Sequence, residues 1–150
     1  VVSALLALFR SSAALHPQEI DVADLIPRLA FEGLAFELPD HRMLTADADL
    51  LAAALLNLFD NSLRHGATTI HLSLPGSNIL RVHDNGTGVS EGERERLQNA
   101  LRGQVDTAGG GLGLLLVDLI ARAHGGSLQL PAVEHGFAAE LHLAARQPAA

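Results

Sequence analysis

Three short segments carry the residue types that could do chemistry: Asn57-Leu-Phe-Asp-Asn61-Ser-Leu-Arg64-His65, Asp84-Asn-Gly86-Thr-Gly88, and Gly109-Gly-Gly111-Leu-Gly113. The first offers amide oxygens, which suit a magnesium ion that keeps several of its waters. It also places Arg64 and His65 where they could meet phosphate. The second offers a carboxylate, Asp84, that can accept from the amine of a base. The third is a run of backbone amides with almost no side chains, followed at once by apolar helical sequence. Such amides at a helix N-terminus form an anion site. Metal, base and phosphate are the parts of a magnesium nucleotide.

Each segment has a plainer reading beside the chemical one. On a helix turning about 100° per residue, Asn57 and Asn61 lie roughly 40° apart, and Arg64 falls about 20° to the other side of Asn57. The three share a polar stripe, while Leu51, Leu55, Leu58 and Ser62 form another stripe suited to a core. Asparagines in a Leu/Ala-rich helix gain nothing without partners. That makes Asn61 the candidate metal ligand and Asn57 its support, although a solvated or capped polar face explains the pair equally well. Asp84 alternates with Leu80 and Val82, so it begins as a carboxylate at the edge of an apolar pocket and needs a donor. The exocyclic amine of adenine is such a donor, and Gly86 and Gly88 would let the backbone pass close to a flat base. Taken alone, Asp-Asn-Gly is better read as an ordinary turn. Gly109, Gly110, Gly111, Leu112 and Gly113 could be a linker, but Leu112, Leu114 and Leu115 follow without a polar spacer. The run does not fit G-x-G-x-x-G, because Leu114 stands where the last glycine belongs.

The elements that must hold these segments are legible in outline. Asp47–His65 reads as a helix ended by Gly66. Thr68–Leu74 and Ile79–Asp84 read as strands, Ala35–Leu38 as a short edge strand, and Ser127–Leu130 with Phe137–Leu143 as a hairpin. Asp21 caps an expected helix over Val22–Leu34, which Pro27 kinks or shortens. Glu91–Leu101 is a charged, exposed helix or lid, and Leu114–His124 is apolar nearly all round and therefore buried. Val1–Ala14 reads as the end of a longer helix, broken at His16-Pro17. Mixed helices and strands, with a tight turn joining the last two strands, favour a mixed sheet with helices on one side.

Composition narrows the function classes. The 150 residues are 48% hydrophobic, enough for one domain with a core. With no Cys there is no disulfide frame, thiolate metal site or cysteine nucleophile. The net charge is −7 and all ten basic residues are Arg, which argues against a nucleic-acid surface and removes a Walker-type lysine. None of the eight His residues stands in H-E-x-x-H; His71 and His83 could face each other on neighbouring strands, with a plain exposed face the stronger reading. No apolar run reaches the roughly 20 residues that span a bilayer.

The three segments, in this order and spacing, resemble the N, G1 and G2 boxes of the GHKL ATP-binding fold, and most of all the catalytic domain of sensor histidine kinases. The likeness runs over residues 18 to 144 and includes Gln18–Ile26, Ala46-Asp47, Gly125-Gly126-Ser-Leu and Gly136-Phe137. It implies the Bergerat fold, an α/β two-layer sandwich with a mixed, largely antiparallel sheet covered on one face by about three helices. It implies ATP and Mg2+ as ligands, Asn61 as the magnesium ligand, Asp84 as the adenine-reading carboxylate, and Gly111 and Gly113 in the phosphate loop. Residues 1–16 would be the remnant of a dimerisation helix, 17–145 the ATP-binding domain and 146–150 a tail. The implied partners are a histidine-bearing dimerisation domain and a response regulator. The domain would be cytoplasmic, and the likeness is compatible with a homodimeric parent anchored in the inner membrane.

Two departures stand out. Leu97 and Leu101 occupy places where the family's lid carries Phe, and no acceptor histidine is expected here, since His16 precedes a proline at a helix end. Where related ATPases and anti-sigma serine kinases carry a Glu that resembles a general base, this chain has Asn57. An amide takes no proton from water or serine, so the resemblance favours transfer to an already nucleophilic imidazole. The alternatives are a GHKL ATPase or serine kinase, or a degenerate nucleotide-sensing scaffold.

Overall fold

The computed structural model describes residues 15–41, 43–103 and 112–144. Leu51, Leu55, Leu58 and Ser62 are all buried, so the apolar stripe of the Asn-bearing helix is the face on which the core is built. That helix, α2 (Ala48–Arg64), begins where the Asp47 side chain accepts from the Leu50 amide and ends at the His65 cap. Beside it packs α4 (Leu112–Ala123). Beneath lies a five-stranded sheet in the order β2 (Ala35–Glu37), β4 (Thr69–Gly76), β5 (Ile79–Asp84), β7 (Ala138–His142) and β6 (Ser127–Gln129). Among the described residues, only the β2–β4 pair is parallel. In β4 and β5 alternate residues are buried (Ile70, Leu72 and Leu74; Leu80, Val82 and Asp84), the period-2 signature of a sheet with one covered face. The class is the expected one, an α/β sandwich with a mixed, mostly antiparallel sheet.

Two features differ from expectation. The described residues hold four helices, the segments α1 (Val22–Arg28) and α3 (Glu91–Leu101) adding to the central pair. The expected helix over Val22–Leu34 ends at Arg28, one residue past Pro27, and Ala30 turns the chain with a positive φ of 51°. The proline has no amide to donate back to the preceding turn, which shortens the helix. The sequence reading also missed β1 (Pro17–Asp21) and β3 (Met43–Asp47), which pair antiparallel as a separate ribbon from Pro17↔Asp47 to Asp21↔Met43. The expected N-terminal helix over Val1–Ala14 lies outside the described residues.

One asparagine joins ribbon and sheet. Asn78, in the β4–β5 turn with φ 54°, accepts from the Thr45 amide at 2.8 Å and donates to the carbonyls of Thr45 (2.9 Å) and Leu143 (2.8 Å). Asn78→Gly keeps the backbone conformation and deletes these bonds. It is expected to cost ~2–3 kcal/mol of unfolding free energy, read by denaturant melts.

Asp21 caps α1 by accepting from Ala23, and its other oxygen meets His41 Nδ1 at 2.6 Å. The hydrogen bond with His41 holds the Asp21 carboxyl below its usual 3.8 and lifts the His41 imidazole above its usual 6.5. The stabilisation from His41 is complete below pH 6.5 and lost as pH rises through the raised value. That from Asp21 is present above 3.8 and lost as pH falls through the lowered one. The His41 ring should therefore titrate with an NMR midpoint above 6.5, and His41→Ala should narrow its stability gap to wild type between about pH 5.5 and pH 8.5.

Candidate functional site

Asp84 closes β5 on the covered face of the sheet and is 4% exposed. No cation meets this carboxylate among the described residues; three donors do. Ser62 Oγ donates to Oδ2 at 2.6 Å, and the amides of Gly86 and Phe137 donate to Oδ1 at 2.9 and 3.1 Å. Asp84 and Phe137 also pair through the backbone, Asp84 N to Phe137 O at 2.9 Å. An ionised carboxylate offers about four acceptor positions. With two donors on Oδ1 and one on Oδ2, the open capacity is on Oδ2.

The cavity beside Asp84 has a volume of about 90 Å³ and opens to solvent. Its apolar walls are Val89, Leu97, Leu114 and Phe137, and its polar lining is Asn61, His65, Asp84 and Glu93, with Gly88 at the rim loop. Helix α2 and its C-cap supply two of these four polar groups, Asn61 and His65. Among the described residues, the half-buried Asn61 side chain has no hydrogen-bond partner, so an amide oxygen is left free at the cavity wall. Glu93 is different: Arg96 forks onto it, with Nε to Oε2 at 2.8 Å, and that bond holds the Glu93 carboxyl below its usual range. A carboxylate so paired is a poor proton acceptor.

Helix α3 is fixed so that Glu93 and Leu97 face this space. Gln98, buried, accepts from the Leu130 amide at 2.7 Å, and Arg94 donates to the Leu130 carbonyl at 2.6 Å. Of the two leucines expected in the lid, Leu97 lines the cavity and Leu101 is buried in the core.

The other candidates are not in the cavity lining. Asn57 turns its amide back onto its own helix, donating to the Ala53 carbonyl at 3.0 Å. Arg64 shares the polar stripe, but its long side chain pairs with Asp60 at 3.0 Å on the exposed side. Gly113 sits half-buried in the first turn of α4, and a β-carbon there would meet open space among the described residues. Gly109, Gly110 and Gly111 lie outside the described residues, as does the side chain of Leu112.

Gly86 and Gly88 are needed for a different reason than the expected approach of a flat base. A β-carbon on Gly86 would lie 2.8 Å from the His65 carbonyl oxygen, and one on Gly88, where φ is +70°, would lie 2.5 Å from that of Gly136. The close approach is between protein backbones: this loop is docked on the end of α2, where Thr87 N donates to the His65 carbonyl at 3.1 Å. Asn85 anchors the same loop to the start of β4, accepting from the Thr68 and Thr69 amides at 2.8 and 2.9 Å.

Two positions that hold Asp84 in place were given no role from the sequence, although Gly136-Phe137 was part of the resemblance. Helical angle put Ser62 in the core stripe, which is correct, but its hydroxyl also orients Asp84. Gly136 has φ +70°, and a β-carbon there would lie 1.9 Å from the Asp84 carbonyl oxygen. A glycine directly before a strand was its available signal.

Residues 46–147 match the family model described as histidine kinase-, DNA gyrase B-, and HSP90-like ATPase. The chain belongs to that family. It is 40% identical over 86 residues to the sensor-type histidine kinase PrrB of Mycobacterium tuberculosis, an alignment covering 53% of this chain and 19% of that protein. The solved ATP-binding domain of PrrB superposes with a TM-score of 0.64 and 26% identity, over 85% of this chain and 96% of that one. The Acinetobacter baumannii histidine kinase AdeS shares the fold, with a TM-score of 0.66 and 21% identity over 95% of this chain and 77% of that one. The alignment to PrrB spans about a fifth of that curated relative's length. No helix among the described residues is long and apolar enough to cross a membrane.

Proposed function

We propose that this chain is the ATP-binding catalytic domain of a sensor histidine kinase, which binds Mg-ATP and presents the γ-phosphate to a histidine on a separate dimerisation domain. The observation that carries the reading is the meeting of Asn61, His65, Asp84 and Gly88, from segments far apart in sequence, around one cavity with apolar walls. Asp84 Oδ2 accepts from the adenine amine while the base lies between Val89, Leu97, Leu114 and Phe137. The amide oxygen of Asn61 fits a hard cation, so Asn61 would hold a magnesium ion, which would supply charge neutralisation to the phosphates. His65 lines the same cavity, and the backbone amides of Gly109–Gly113 are assigned to the phosphates by the resemblance.

The transfer itself asks little covalent chemistry of the domain. The acceptor imidazole attacks γ-phosphorus through its lone pair, the bond to the bridging oxygen breaks, and ADP leaves; positioning and charge carry the rate. Asn57 is an amide, and the hydrogen bond from Arg96 lowers the basicity of the Glu93 carboxylate, so neither is a strong base toward water or a hydroxyl. This favours histidine over water or serine as acceptor. The parent protein would pass the phosphoryl group on to a response regulator, with this domain in the cytoplasm.

Calorimetric titration with ATP, with and without magnesium, tests the reading. Asn61→Ala should weaken binding about tenfold or more with magnesium and change it little without. Equal affinities for the two proteins in magnesium would remove Asn61 from the site. Adding a histidine-bearing dimerisation domain should then yield acid-labile phosphohistidine from γ-labelled ATP; steady ATP hydrolysis by the isolated chain would favour the ATPase reading instead.

A further inference from the structure

We propose that His71 and His83 form a binding site for a divalent transition-metal ion on the uncovered face of the five-stranded sheet. The proposal is independent of the nucleotide reading and uses the opposite face of β5. In the strand register Glu37 stands beside His71, and His71 stands opposite His83, so the three make a row across β2, β4 and β5. Facing residues in such a pair have β-carbons roughly 4.5–5.5 Å apart. The row lies in an open hollow lined also by Thr69, Asp84, Asn85 and His135, so Asp84, at the end of β5, borders this hollow as well as the cavity on the covered face.

The hydrogen bonds of the two rings make the pair more than a coincidence of register. His71 Nδ1 lies 3.0 Å from Glu37 Oε2, and His83 Nε2 lies 2.7 Å from the carbonyl oxygen of His135. Both partners are acceptors, so both of these nitrogens carry the proton. In the neutral rings the lone pairs are then on His71 Nε2 and His83 Nδ1, and neither has a hydrogen-bond partner among the described residues. An imidazole that donates one N–H to a carboxylate or carbonyl, with its other nitrogen free, is the arrangement that orients metal-bound histidine and raises its basicity. Here it occurs on two facing residues.

The surrounding charge is permissive. Glu37 contributes a carboxylate, and the cation on the same face of β5, Arg81, is paired with Glu140 at 2.6 Å. Two imidazole nitrogens completed by water suit copper(II), nickel(II) or zinc(II), and do not suit magnesium or calcium. This separates the site from the one proposed at Asn61. Among the described residues, the group of three whose ligand atoms lie within 4.8 Å of one another is Asp21, Asp24 and His41, where His41 Nδ1 is already committed to Asp21; His71 and His83 offer two nitrogens rather than a set of three.

The test is titration of the whole chain with nickel(II) by calorimetry, and with copper(II) by electron paramagnetic resonance, both without nucleotide. The expected result is one saturable equivalent with two nitrogens coupled to copper. His71→Gln and His83→Gln should each weaken binding by about tenfold or more, while circular dichroism and thermal melting stay those of the wild-type fold. His135→Gln, which keeps the backbone carbonyl, should leave the metal affinity within about twofold. Absence of saturable binding, or binding that survives both substitutions, would overturn the proposal. So would loss in His135→Gln alone. None of these outcomes bears on whether ATP occupies the cavity on the other face.

Discussion

Asp84→Asn is expected to weaken ATP binding by about 100-fold or more, close to 3 kcal/mol, while leaving the fold intact. The carboxylate accepts from Ser62, Gly86 and Phe137, and its remaining acceptor capacity is on Oδ2. An asparagine keeps one carbonyl oxygen, which can serve the two fixed amides of Gly86 and Phe137. Its NH2 group then replaces Oδ2. The Ser62 hydroxyl can rotate and accept from that NH2, so the interior stays paired. The adenine amine cannot rotate away from being a donor, and it would face another donor. Affinity falls where stability does not. Calorimetry for binding, together with a thermal melt for stability, separates the two, and a variant that melts normally yet binds ATP as tightly as wild type would refute Asp84 as the base-reading group.

Gly136→Ala should be the most damaging single-methyl change in the molecule's site. Its backbone has φ +70°, and the added carbon would lie 1.9 Å from the carbonyl oxygen of Asp84. No side-chain rotation relieves that contact, because both partners are backbone. The strained conformation adds roughly 1–2 kcal/mol, and the clash must be met by moving the end of β5 away from the loop that leads into β7. That motion breaks the Asp84–Phe137 backbone pair and takes the carboxylate out of register with Ser62. Expected results are a loss of about 4 kcal/mol or more in stability and no measurable ATP binding in whatever folded fraction remains. A variant with wild-type melting and affinity would show that this loop yields far more easily than its packing implies.

The sequence disclosed those parts of the fold whose signals are local. The apolar stripe of α2 and the alternation of β5 each depend on neighbours a few residues away, and both elements lie close to where they were expected. The ribbon of β1 and β3 was not legible. Only Ile20 is buried in β1, so the strand shows no alternation, and its partner Met43–Asp47 lies about a sixth of the chain away. Its stability comes from pairing and from Asn78, which periodicity does not reveal.

The site was legible to a similar degree. Asn61, His65, Asp84 and Gly88 converge, because each is set by a helix end or a strand end. Arg64 has the right helical angle, but a flexible side chain follows its nearest charge, Asp60, rather than the angle of its Cα. Asn57 meets Ala53 for a similar reason: an amide on a helix finds a carbonyl one turn back. Gly86 and Gly88 were expected to let the backbone pass close to a flat base; the surface they closely approach here is the protein's own backbone.

The most direct measurement is a crystal structure of the chain with ADP and magnesium. The account predicts the adenine amine within hydrogen-bond distance of Asp84 Oδ2, the ring between Leu97, Leu114 and Phe137, and the Asn61 amide oxygen on the metal. A nucleotide bound elsewhere, or one in this cavity with its amine turned away from Asp84, would contradict it.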